Sequence, residues 1–196
     1  MEQFKNNKKY QDTIRTAKEL FWKYGIKRVT IEEICKEASV SKMTFYKFFK
    51  NKTELAKTIL ENLVQSSLLD FDKLIKSELP FPQKLERIFL MKIEGMNNFS
   101  MEFIRDIYTN PNLDLKEFME QKKNESKDSI INFYKDAQNQ GFIRNDVKID
   151  FLLSYADQIV KMMENENLMA QYDKPQDFII EAMNALFYGI VKKSDK

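Results

Sequence analysis

The sequence has no histidine, a single cysteine, one tryptophan, and only four glycines and four prolines in 196 residues. Without histidine there is no imidazole to ligate a metal or haem and none to act as a general base. Cys35 has no partner for an internal disulfide. It falls at a core position of an expected helix, so it reads as a small apolar residue in a reducing compartment. So few turn residues argue against a strand-rich chain and favour an all-α fold. No apolar run reaches the roughly 18 residues that span a bilayer. The opening MEQFKNNKKYQD lacks the apolar core of a secretion signal. These absences together imply a soluble, cytoplasmic protein that does not use a membrane. Phosphate-cradling glycine loops, a nucleophile elbow and a cysteine metal cluster are also missing, so neither an enzyme nor a resident cofactor or metal is expected.

Charge is abundant but uneven. Residues 1–57 hold 14 Lys and Arg against 7 Asp and Glu, a net of +7. Residues 58–196 hold 18 against 23, a net of −5. A basic head on an acidic body suits a nucleic-acid-binding domain joined to one that avoids nucleic acid.

The head is organised around Thr30 to Leu55, TIEEICKEASVSKMTFYKFFKNKTEL. Thr30 and Glu33 form a capping box, with Val29 and Ile34 placed as its hydrophobic staple. Ile31, Ile34, Cys35 and Ala38 then share one helical face. Ser39-Val40-Ser41 interrupts the pattern, and Ser41 caps a second short helix beginning at Lys42. Along that helix Phe45, Phe48 and Phe49 face one way. Lys42, Met43, Tyr46, Lys47 and Lys50 face the other. Asn51 and Glu54 cap a third helix from Lys52. A helix of about eight residues is roughly 12 Å long, a length that fits a DNA major groove with its polar face on base edges and phosphates. The alternative is a three-helix core with a solvated basic face.

The same residues carry a family resemblance. Ile34 to Leu55, with Val40-Ser41, Thr44-Phe45-Tyr46, Phe48-Phe49 and Lys52-x-Glu54-Leu55, resembles the helix-turn-helix of TetR/AcrR-type transcriptional regulators. The pattern there is roughly A-G-V-S-x-G-T-L-Y-x-Y-F-x-x-K-E-E-L. The likeness covers about the first 60 residues, with many positions agreeing at fixed spacing. Ser39 departs where the family often has the turn glycine, so the turn must accommodate a Cβ. Met43 departs where the family often has glycine, which places a larger side chain towards DNA.

The resemblance implies an N-terminal three-helix DNA-binding domain over residues 1–55. A long helix joins it to a helical effector-binding and dimerisation domain over residues 56–196. It further implies a repressor that binds a palindromic double-stranded DNA operator as a homodimer, released by a small, largely apolar effector. By position, Thr30, Ser41, Lys42, Met43, Thr44, Tyr46, Lys47 and Lys52 are the candidate DNA contacts. Thr30 and Lys52 stand at helix starts that favour phosphate. Lys42 and Lys47 suit guanine edges or phosphate, and Met43 and Tyr46 suit a thymine methyl. Lys27 and Arg28, and the amino-terminal lysines Lys5, Lys8 and Lys9, are further phosphate candidates.

The rest of the chain reads as helices. The first runs from about Lys8 to Tyr24, ended by Gly25. The linking helix runs from Lys52 to about Lys76, ended by Leu79-Pro80-Phe81-Pro82. Others span about Gln83 to Asn97, Ser100 to Tyr108 and Leu113 to Gln140, the last ended by Gly141. Asn110-Pro111-Asn112 is a turn. The polar stretch from Gln121 to Asp128 is either a solvated face or a break. Asp146 is the expected cap of a helix reaching about Leu168, and Pro175 opens a last helix to about Val191.

Eight of ten methionines lie beyond residue 90, alongside many aromatics. That composition suits an adaptable cavity or an ordinary helical core. The pocket candidates are Glu94, Glu102, Phe103, Tyr108, Tyr155 and Asp157, whose acids would accept a cation or form surface ion pairs. Ala182, Ala185 and Gly189 form a small-residue strip. With Ile159, Met163 and Leu186 they are the candidates for the dimer interface that the resemblance implies, and intrachain packing is the alternative. Two other functions compete. One is a TetR-like helical protein acting mainly through a protein partner. The other is a helical enzyme or lipid carrier with an incidental basic head.

Overall fold

The computed structural model describes residues 4–96, 98–111 and 113–190, and for Phe89, Ile93 and residues 187–190 it describes the backbone alone. Asn97, Asn112 and Val191 therefore lie outside the described residues, as do the side-chain surroundings of Phe89, Ile93, Gly189 and Ile190. Among the described residues the fold is all-α. The order is α1 (Lys8–Tyr24), α2 (Ile31–Glu37), α3 (Lys42–Phe48), α4 (Lys52–Ile75), α5 (Phe81–Met96), α6 (Met101–Tyr108), α7 (Leu115–Asn139), α8 (Ile149–Met162), α9 (Glu166–Met169) and α10 (Pro175–Ile190).

Compactness divides the chain into two units. The first holds Met1–Gln65 and Asn98–Glu120, and the second Ser66–Asn97 and Gln121–Lys196. This grouping differs from a boundary at residue 55 because α6 packs on α1 and so joins the head. The dividing points fall inside α4 and α7, so neither helix belongs wholly to one unit.

The first unit is built as its sequence dictates. Asn7 caps α1, and Gly25 ends it at φ +81°, donating its N–H to Phe21 O at 2.8 Å. Thr30 and Glu33 form the full capping box of α2, and Val29 and Ile34 are both buried beside it. The helix then closes in a Schellman turn. Ser39 takes φ +55°, its N–H reaches Lys36 O at 3.3 Å, and Val40 N–H reaches Cys35 O at 2.9 Å. The turn thus accepts a Cβ where glycine is the unstrained choice. Ser41 caps α3 by accepting from Thr44 N at 3.1 Å, and Asn51 caps α4 by accepting from Glu54 N at 2.8 Å. Ala17, Phe21, Ile26, Ile34, Phe45, Phe49 and Leu55 fill the core, and Cys35 is buried among them.

In the second unit Leu74, Phe81, Ile88, Phe133, Ala137, Ile143, Val147, Leu152 and Leu186 form a cluster. Phe81 stacks on Phe133 and Phe142 at centroid distances of 5.4 and 4.9 Å. Helix α5 begins at Phe81, two residues earlier than Gln83, since a proline in the first turn removes no helical hydrogen bond. Helix α7 runs unbroken through Gln121–Asp128. Of the two readings of that stretch the solvated helix holds, with Lys122 and Glu125 paired one turn apart. Gly141 ends it at φ +75°.

The expected helix from Asp146 to Leu168 is corrected at both ends. Asp146 is exposed and lies before the helix, which starts at Ile149 after Lys148 with no side-chain cap. Gln138 Nε2 donates to Arg144 O and to Val147 O at 3.1 and 2.7 Å, holding that stretch as a loop. At the other end α8 stops at Met162. Asn165 accepts from Leu168 N at 3.1 Å and so starts a separate short helix, α9. No helix among the described residues is long and apolar enough to cross a membrane.

Candidate nucleic-acid interface

Helix α3 carries Met43, Tyr46 and Lys47 at i, i+3 and i+4, so these three share one face, and Lys50 follows just beyond the helix end. All four are exposed; Met43 is 82% and Tyr46 55% accessible. On the opposite side Phe45, Phe48 and Phe49 are buried, and Tyr10 of α1 stacks on Phe49 at 5.2 Å and meets Phe48 edge-on at 5.5 Å. The aromatic side sets how the helix stands on the head. The Tyr46 ring meets Phe45 edge-on at 5.5 Å and leaves its outer side to solvent, while the Met43 thioether stands almost wholly in water.

The eight candidate contacts differ in how free their polar groups are. The Thr30 hydroxyl accepts from Glu33 N at 3.1 Å and donates to Glu33 Oε2 at 2.9 Å. Ser41 Oγ and Thr44 Oγ1 lie 2.9 Å apart and share a hydrogen bond. The Lys42 ammonium pairs with the Glu32 carboxylate, which raises the lysine and lowers the glutamate from their usual ranges. Among the described residues Lys47 has no such partner. Lys52 is half-buried, and its Nζ donates to Lys27 O at 3.0 Å and Val29 O at 2.5 Å. Burial pushes its pKa down, while the Asp106 and Glu33 carboxylates pull it back up. Two of its three N–H donors are thus occupied by the loop before α2, leaving one for phosphate.

Further cations lie on the loop before α2 and on α2 itself. Lys27, Arg28 and Lys36 are exposed, and the Arg28 guanidinium lies 4.4 Å from the centre of the Tyr24 ring. The sequence reading passed over two acids. Glu32 neutralises Lys42 from the previous helix. Asp106, only 7% exposed, accepts from Lys27 N at 2.7 Å through Oδ2. A signal for Asp106 was present in the sequence, because it sits three residues after Phe103 and beside Ile107 on the apolar face of α6.

The six pocket candidates fall into both compact units. Glu102, Phe103 and Tyr108 belong to the first and Glu94, Tyr155 and Asp157 to the second. Phe103 is core, 1% exposed, while Glu94 and Glu102 face solvent. Asp157 forms an ion pair with Lys123. Tyr155, with Phe151, Val147, Leu186, Arg144 and Lys148, borders a cavity of about 480 Å³ in the second unit. Of the dimer candidates, Ile159, Met163 and Leu186 are buried within their own chain, Ala182 is half-buried and Ala185 exposed. The large apolar side chains that α8 leaves exposed are instead Phe151 and Met162.

Residues 14–59 match the model of the bacterial regulatory proteins of the tetR family. The chain is 32% identical over 81 residues to an uncharacterised HTH-type transcriptional regulator, YhgD, of Bacillus subtilis (strain 168). That alignment spans 41% of this chain and 42% of that protein, less than half of either. Two solved structures share the fold over nearly the whole length. One is a putative transcriptional regulator from Saccharomonospora viridis in complex with choline, with TM-score 0.71, 16% identity, and coverage of 94% of this chain and 98% of that one. The other is SmeT, the repressor of the Stenotrophomonas maltophilia multidrug efflux pump SmeDEF, with TM-score 0.68, 13% identity, and coverage of 94% and 91%. At such identities the likeness is one of fold alone. The family model and the capped helix-turn-helix agree on the same residues, so residues 14–59 form a helix-turn-helix domain similar to that of the bacterial regulatory proteins of the tetR family.

Proposed function

We propose that this protein is a cytoplasmic transcriptional repressor. It binds a palindromic DNA operator as a homodimer through residues 1–55 and leaves it when a small ligand enters the helical domain over residues 56–196. The observation that carries the DNA reading is the α3 face. Met43 and Tyr46 stand 82% and 55% exposed, with Lys47 exposed beside them, on a helix anchored from behind by three buried phenylalanines. Of the eight candidate contacts, Met43, Thr44, Tyr46 and Lys47 are assigned to base edges, and Thr30, Ser41, Lys42 and Lys52 to phosphates.

Dimerisation by α8 and α10 is supported by their exposed apolar groups, Phe151, Met162 and Ala185. Ile159, Met163 and Leu186, already consumed in their own core, back that surface rather than form it. Ligand binding is supported by a neighbouring fold solved in complex with choline. Of the six pocket candidates none is singled out by geometry, because the 480 Å³ cavity beside Tyr155 is lined by Phe151 and Ala185, the side chains assigned to the dimer surface.

The test is binding to the DNA upstream of the protein's own gene against random duplex of equal length, over a salt series. Selective binding with a steep negative salt slope is expected. Equal, weak binding to both would overturn the sequence-specific reading.

A further inference from the structure

We propose that Asp106 is a positioning residue for DNA binding: from α6 it fixes the backbone of the α1–α2 loop, whose Lys27, Arg28 and Thr30 then meet the phosphates. This rests on the DNA-binding function proposed above. It assigns a role to a residue outside the helix-turn-helix.

The carboxylate is buried on the apolar face of α6, between Phe103 and Ile107. A buried charge is costly unless it is hydrogen-bonded. Oδ2 finds its partner 79 positions away in sequence, taking the Lys27 N–H at 2.7 Å. Oδ1 lies 3.5 Å from Asn110 Nδ2, a long contact that adds little. The same loop is held by its carbonyls, since Lys52 Nζ donates to Lys27 O and Val29 O. One acid and one base, from α6 and α4, thereby fix a stretch of backbone that includes both sides of Lys27.

Gly25 completes the arrangement. Its φ of +81° favours glycine, and a Cβ there would stand 2.8 Å from Asp106 Oδ2 and 3.0 Å from Glu102 Cβ. The carboxylate can reach the loop only because that methyl is missing. An anion near a phosphate-binding surface would repel DNA if exposed. Here it is buried and hydrogen-bonded to the backbone it holds. Asp106 and Lys52 act as a pair, so Lys52 contributes to DNA binding by shaping the loop as well as by its remaining N–H.

The experiment compares full-length wild type with Asp106→Ala, Asp106→Asn and Gly25→Ala, each verified as folded by circular dichroism at the assay temperature. DNA affinity is measured across a salt series on the selected operator and on random duplex. Asp106→Ala and Gly25→Ala are expected to bind both DNAs about 10-fold more weakly. Their salt slope should be shallower by about one phosphate contact, because the loop no longer presents its cation. Asp106→Asn keeps an acceptor for the Lys27 N–H and is expected to stay within about 3-fold of wild type. A residue that served stability alone would lower the melting temperature and leave the affinity and slope of the folded protein unchanged, and that result would overturn the proposal. Should Asp106→Ala fail to fold, Gly25→Ala and Asp106→Asn decide by the same slope. Failure of the wild type itself to bind duplex DNA would instead overturn the function on which this inference rests.

Discussion

Lys47 and Lys52 present the same ammonium on the same stem, in surroundings that divide their roles. Lys47 stands in solvent on the recognition face, while two carbonyls hold the head of Lys52. Lys52→Ala is expected to weaken binding to operator and random DNA by one common factor and to lower thermal stability as well. Lys47→Ala and Thr44→Ala are expected to change the ratio between the two DNAs, with about 1–3 kcal/mol of discrimination lost at the base read by Lys47. Competition binding with single-base operator variants separates these outcomes, and equal ratios for all three variants would contradict the assignment. Glu33 supplies a pH signature. The Thr30 backbone N–H and then its hydroxyl bond the carboxylate and hold its pKa below the usual glutamate range. Its unfolded form binds a proton more readily, so its stabilisation is complete above that range and is lost as pH falls through the lowered value. The gap in melting temperature between wild type and Glu33→Ala should therefore narrow as pH falls below the ordinary glutamate range. A gap that persists unchanged at the acid end would show that the capping box is not its source.

At the scale of the element, the α2–α3 turn combines a well-formed hydrogen-bond pattern with a residue that strains it. Ser39 sits in the left-handed region, where an L-residue other than glycine costs roughly 1–2 kcal/mol. Ser39→Gly is expected to raise stability by about 0.5–1 kcal/mol after glycine's larger entropy loss is subtracted. Urea unfolding measures it, and a destabilised variant would mean that the serine side chain holds the turn. Helix α3 is too short to stand by its own propensity, so its attitude depends on Phe45, Phe48 and Phe49. Phe45→Ala, at a fully buried site, should cost about 3–5 kcal/mol and weaken DNA binding through loss of the head.

For the whole molecule, the predictions concern assembly and coupling. Sedimentation should give twice the 23.4 kDa chain mass at micromolar concentration. Phe151→Lys together with Ala185→Glu should shift the protein to the monomer and abolish tight operator binding, since two half-sites are then no longer held at fixed spacing. A monomeric wild type that still bound a palindrome tightly would contradict the dimer. Helices α4 and α7 each have residues in both compact units, and the proposed ligand response requires that ligand and operator binding be coupled. Under that scheme a ligand lowers operator affinity by the same factor by which operator lowers ligand affinity. A ligand that binds with no such reciprocity would refute the coupling.

Local chemistry written in the sequence determined much of this protein. The Thr30–Glu33 box, the Ser41 and Asn51 caps, the glycine stops at 25 and 141 and the phenylalanine spacing of α3 each involve residues within a few positions of one another. Such short-range signals fixed the all-α class and the orientation of the recognition face. The tertiary structure decided whatever depended on distant partners. Gln138 holds the loop at Arg144 and Val147, and Asp146 is left before the helix it seemed to cap. Ile159, Met163 and Leu186 turn inward, a choice between equally apolar faces that periodicity cannot make. Asp106 meets Lys27 because α6 packs on α1, and no local pattern links two residues 79 positions apart.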